Sequence, residues 1–107
     1  MPIYRLTPRN FHHQDWQISR FKNEAVIRAP SEGAARWAAT AAFKVPTAYI
    51  PGVPYRDNPW RQESLVAVSI LHDADIEAAG WQKEGRLEIL EPAGHNGALE
   101  GRNWDWD

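Results

Sequence analysis

Residues 25–43, Ala25–Val26–Ile27–Arg28–Ala29–Pro30–Ser31–Glu32–Gly33–Ala34–Ala35–Arg36–Trp37–Ala38–Ala39–Thr40–Ala41–Ala42–Phe43, set a strand, a stop and a helix in one line. Ala25 to Ala29 carries β-branched Val26 and Ile27 and predicts a strand. Pro30 prevents a helix from starting earlier. Ser31 is a natural N-cap, because its hydroxyl can accept from a free backbone N–H of the first turn. Glu32 sits where the helix dipole favours an anion. The alanine-rich run that follows has high helix propensity, so a helix is predicted from about Ser31 to Phe43. Ala35, Ala38, Ala39, Ala42 and Phe43 share one face at helical spacing. That face is built of small side chains and suits close packing on a sheet. Arg36, Thr40 and Lys44 are expected to point the other way, and Pro46 ends the element.

On the C-terminal side, the next strong strand signal is Ser64 to Leu71, SLVAVSIL. Both of its faces are largely apolar, which predicts a central strand. Arg86 to Leu90 alternates and predicts a last strand, stopped by Pro92, with Gly85 suiting a hairpin-like approach. Between these strands, Asp73 to Glu84 fits a loop or one helical turn. Before the opening stretch, Pro2 to Leu6 alternates weakly and predicts a short strand ended by Pro8. Trp16, Ile18 and Phe21 suggest a return in extended form, with a turn at Lys22–Asn23. The expected fold is α+β: a two-layer sandwich of about four mostly antiparallel strands packed by one alanine-rich helix.

With 107 residues, one domain is expected. Residues 1–92 form that domain in this reading. Residues 93–107 read as a flexible tail containing Gly, Asn and Trp, with Leu99, Trp104 and Trp106 as its apolar anchors. Apolar residues make up 43% of the chain and charged residues 24%, which argues against disorder. The net charge of −2 gives no field that would draw in nucleic acid or an anionic membrane. No run approaches the apolar length of a membrane span. Residues 1–10 lack the apolar core of a secretory signal. The absence of cysteine removes disulfides, thiolate catalysis and thiolate-bound zinc, and it fits a cytoplasmic location. Six tryptophans are several times the usual share; Trp16, Trp37, Trp60 and Trp81 are expected in or beside the core.

No pattern of reactive residues reaches the level of a motif, so catalytic residues, metal ligands and cofactors are all expected to be none, and enzymatic activity is uncertain, leaning to no. His12 and His13 are adjacent, so on an extended chain they point apart, and neither they with Asp15 nor His72 with Asp73 and Asp75 match a zinc spacing. Ser19, Ser31, Ser64 and Ser69 lie in no Gly-x-Ser-x-Gly elbow. Glu88 with Glu91, and Asp105 with Asp107, do not suggest a fixed pair across a cleft. Gly94 and Gly97 precede no strand-to-helix phosphate loop.

Partner binding has the best support. Residues 46–59, PTAYIPGVPYRDNP, hold four of the eight prolines and several large apolar groups. They are too proline-rich for a central strand and too apolar for a loose linker. A pre-ordered proline-rich segment loses little entropy on docking, and Tyr, Trp and Arg are the residue types that anchor interfaces. Tyr49, Tyr55, Arg56, Trp60 and Arg61 are therefore the candidate partner-binding residues for an unknown protein partner. An exposed sheet edge is a second route. Trp104 and Trp106 are spaced to form a short linear motif. Nucleic-acid binding is possible but not favoured; it would rest on the pairs Arg20–Phe21, Arg36–Trp37, Tyr55–Arg56 and Trp60–Arg61. A small ligand-binding domain or enzyme, with a pocket between the long loop and the sheet, is the remaining alternative. Oligomeric state is left open.

The frame Pro2–Ile3–Tyr4–Arg5–Leu6, Asp15–Trp16, Val26–Ile27–Arg28–Ala29–Pro30–Ser31–Glu32–x–x–Ala35–Arg36, Asn58–Pro59–Trp60 and Glu88–Ile89–Leu90 resembles a family of short uncharacterised bacterial proteins. The resemblance covers most of the chain to about Pro92. It implies no activity and no site residue.

Overall fold

The computed structural model describes residues 1–44 and 58–99. It is a two-layer α+β sandwich. Strands β1 (Ile3–Pro8), β2 (Ala25–Arg28), β3 (Val66–Ile70) and β4 (Glu88–Glu91) form one antiparallel sheet in the order β3-β1-β2-β4. Helix α1 (Glu32–Phe43) packs on one face, and the short α2 (Asp73–Ala79) covers a corner of the other.

The strand–stop–helix stretch folds as its chemistry dictates. Ser31 has extended backbone, and its Oγ accepts from Ala34 N at 3.1 Å, satisfying one of the free donors of the first turn. Such a cap contributes about 1 kcal/mol. Ala34, Ala35, Ala38, Ala39, Ala42 and Phe43 are buried. Against them lie Leu6, Ala25, Ile27, Ala29, Val66 and Ile89. Because most of the helix face is methyl groups, the backbone approaches the sheet closely, and a larger side chain there has no room.

On the far face, Ile3, Val26, Leu71 and Ile76 form a smaller cluster edged by Trp81 and Leu90. The rest of that face is polar, with Arg5 paired to Glu24 at 2.9 Å. Alternation along β1 therefore splits Ile3 from Leu6 across the sheet.

Two expectations are corrected. SLVAVSIL is an edge strand and not a central one. Its even positions, Val66 and Val68, pack under α1, whereas Ile70 on the same face is 56% exposed. Apolar character on a strand therefore does not report its rank in the sheet. The centre is taken by β1 and β2, whose partners lie on both sides. The second correction is at Gln14–Ile18, a 3₁₀ turn and not an extended return. It starts where His13 Nδ1 accepts from Asp15 N at 3.1 Å. Packing also continues past Pro92. Leu99 is buried against α1's core, and Asn96 bonds to β4. Residues 100–107, with Trp104 and Trp106, lie outside the described residues.

Candidate functional site

Of the five predicted partner-binding residues, Trp60 and Arg61 lie among the described residues, and Tyr49, Tyr55 and Arg56 lie outside them. Arg61 is exposed. Trp60 is fully buried, so its indole is a core group and offers no surface to a partner.

Local chemistry fixes Trp60 in place. Asn58 starts a 3₁₀ turn, Pro59–Arg61, and its Oδ1 accepts from Trp60 N at 3.0 Å. Pro59 suits the first position, where no N–H is needed. The indole stands edge-on to Trp16 (5.6 Å, 84°) and lies 5.0 Å from the Phe43 ring. Phe21 stacks on it at 6.4 Å. Indole Nε1 donates to Ser19 Oγ at 2.8 Å, and Ser19 Oγ donates onward to the Phe21 carbonyl at 2.6 Å. Trp16 Nε1 donates to the Arg9 carbonyl at 3.0 Å. Both buried indoles thus have their one polar group satisfied. Gln62 Nε2 donates to Asp15 Oδ2 at 2.9 Å, tying the turn at 59–61 to the one at 14–18. Trp37 and Trp81 are half-buried.

The arginines are mostly committed to the protein's own carbonyls. Arg36 does not point away from the sheet. Its Nη1 donates to the Trp60 carbonyl at 3.2 Å and its Nη2 to the Val66 carbonyl at 3.0 Å, with Glu32 also 3.3 Å from Nη2. Arg20 Nη2 lies 3.4 Å from the Ala42 carbonyl. Arg28, buried within β2, donates from Nε to the Arg86 carbonyl and from Nη1 to the Gln82 carbonyl, both at 2.9 Å. Glu88 lies 3.6 Å from its Nη2. This clamp fixes the segment before β4. It also demands glycine at 85, where φ is +129° and an added Cβ would stand 2.6 Å from Arg28 Nη2. The sequence signal was an arginine inside an otherwise apolar strand, which needs internal partners.

Titratable groups form no convergent site among the described residues, and no group of three or more His, Asp or Glu is placed to hold a metal ion there. His13 Nδ1 lies 3.7 Å from Asp15 Oδ2, and Asp15 is already held by Gln62. The Asp73 carboxyl is held below its ordinary value by the hydrogen bond from Lys83 and then by that ammonium's charge. Ser31 caps α1 and Ser19 serves Trp60. No helix among the described residues is long and apolar enough to cross a membrane.

The sheet edges differ. At β4, the Asn96 side chain takes both outward groups of Ile89, accepting from its N–H at 2.6 Å and donating to its carbonyl at 3.0 Å. One amide thus substitutes for a neighbouring strand. At β3, Leu71 N donates to the Ile3 carbonyl and Arg9 N to the Leu65 carbonyl. Antiparallel pairing alternates, so residues 65, 67, 69 and 71 bond inward to β1, and residues 66, 68 and 70 face outward. Val66 is satisfied by the Gln62 carbonyl and by Arg36. Among the described residues, nothing bonds to the outward groups of Val68 and Ile70.

No protein-family model matches this chain, and neither a curated protein nor a solved structure matches it.

Proposed function

We propose that the protein is a cytoplasmic protein-interaction or accessory module that presents its proline- and aromatic-rich segment to a protein partner. The observation that supports this reading is the rigid root of that segment. Trp60, Asn58 and Gln62 fasten its C-terminal end to the core through an indole, a turn and a carboxylate. A segment held at its base and rich in proline has less freedom to lose on binding. In this reading Trp60 is the anchor of the platform, and Tyr49, Tyr55, Arg56 and exposed Arg61 make the contact. Nucleic acid is the weaker reading, because Arg36 is spent on carbonyls and Trp60 is buried, leaving fewer groups to stack bases or hold phosphates.

Affinity capture of the tagged protein from its host's lysate, with and without nuclease, tests the reading. A protein partner that survives nuclease is expected. Capture that disappears on nuclease treatment would replace it with nucleic-acid binding.

A further inference from the structure

The two edges of the sheet lead to a conclusion that does not depend on the loop. The β3 edge offers two donors and two acceptors, on Val68 and Ile70, spaced for an antiparallel strand. Among the described residues it carries none of the usual protections. Val66–Ile70 contains no Lys, Glu, Asp or Pro, and Ile70 is 56% exposed beside the free backbone. The β4 edge is closed at Ile89 by Asn96 and flanked by Glu88 and Glu91.

From this asymmetry we propose that a second copy of this chain docks on β3, pairing β3 with β3 about a two-fold axis at Ser69. Among the described residues only the β3 edge is open, so copies cannot join β3 to β4 and grow into a filament; the contact must be isologous and close at two. The register follows from which groups are free. Val68 pairs with Ile70 of the second copy, and Ile70 with its Val68, which satisfies the four outward groups of each strand in a closed set of four hydrogen bonds. A register centred on Val68 would instead call on Val66, whose carbonyl Arg36 already holds. In the proposed register the two exposed Ile70 side chains meet Val68 across the seam on the α1 side. The strand's lack of charge means that no like-charge pair opposes it. The two Ser69 residues stand directly opposite as a non-hydrogen-bonded pair, with Cα atoms about 4.5 Å apart.

That separation suits a disulfide, and the chain has no cysteine of its own. The test is Ser69→Cys under mild oxidation, with Ala67→Cys as the register control, because two Ala67 residues would lie roughly 13 Å apart along the strands. Expected are a covalent dimer for Ser69→Cys on non-reducing gels, little or none for Ala67→Cys, and a concentration-dependent dimer for the unmodified chain by sedimentation. Ile70→Lys and Ile70→Pro, which remove no bond to β1, are expected to give folded monomers. Equal cross-linking at both positions, species larger than a dimer, or a monomer across the soluble concentration range would each overturn the proposal. Because no partner capture is involved, its failure leaves the loop reading standing, and failure of the loop reading leaves it standing.

Discussion

Trp60 Nε1 donates to Ser19 Oγ at 2.8 Å, joining residues 41 positions apart inside the core. This bond decides what the end of the proline-rich segment does. A tryptophan that surrenders its only polar group to a buried serine is committed to the fold. Ser19 Oγ both accepts and donates, since the hydroxyl donates its own hydrogen bond to the Phe21 carbonyl.

Ser19→Ala should therefore leave the indole N–H unpaired in an apolar box. The expected loss is about 1–3 kcal/mol of unfolding free energy, read by urea denaturation. Trp60→Ala, which also leaves a cavity, should cost more, about 3–5 kcal/mol. A Ser19→Ala protein as stable as the parent would mean that the bond contributes nothing.

Gly85 and Arg28 supply a second test. Gly85→Ala meets a pinned guanidinium and a backbone angle that side chains rarely adopt. A destabilisation of about 1–3 kcal/mol is expected. Arg28→Lys should loosen the same segment, because an ammonium cannot reproduce the planar fork that spans the Arg86 and Gln82 carbonyls. Faster amide exchange within residues 82–88 would be the readout. Unchanged exchange in both variants would contradict the clamp.

The amide that closes β4 is equally exposed to test. Asn96→Ala removes both bonds to Ile89, which is itself buried. The Ile89 amide should exchange faster, and stability should fall by about 1–2 kcal/mol. No change in Ile89 exchange would show that water replaces Asn96 without cost.

Asp73 provides the pH test. Lys83 depresses its folded-state pKa below the ordinary 3.8. A carboxylate with a depressed folded pKa contributes stability above its unfolded pKa, and that contribution fades as pH falls through the folded value. The pair is exposed, so the effect should shrink with salt. Carbon-detected NMR titration should place the Asp73 midpoint below 3.8, and Lys83→Met should move it back up. An unmoved midpoint in that variant would remove Lys83 as the cause.

The parts of the fold legible in the sequence were those set by neighbours along the chain. Pro30, Ser31 and the alanine spacing specify α1 locally, and the structure keeps that cap and that face. Strand rank was not legible, because it depends on which distant segments pair. Ile3–Pro8 carries Arg5 and Thr7 and still lies centrally, since one sheet face there is open and Arg5 finds Glu24. The more apolar Val66–Ile70 lies at the edge. At the candidate site, the sequence marked Trp60 as important but could not separate an interface anchor from a core anchor. The two share one residue type, and only Ser19, Trp16 and Phe43 around it decide the matter. The Asn96 closure was hidden for the same reason: one asparagine in a Gly-rich stretch has no periodicity to reveal it.

The most direct test of the central claim is affinity capture with a variant carrying Tyr49→Ser, Tyr55→Ser, Arg56→Glu and Arg61→Glu, with Trp60 kept, beside the unmodified chain. The account predicts that the variant keeps the parent's melting temperature and loses the nuclease-resistant protein partner. A variant that folds normally and captures the same partner in the same amount would contradict it.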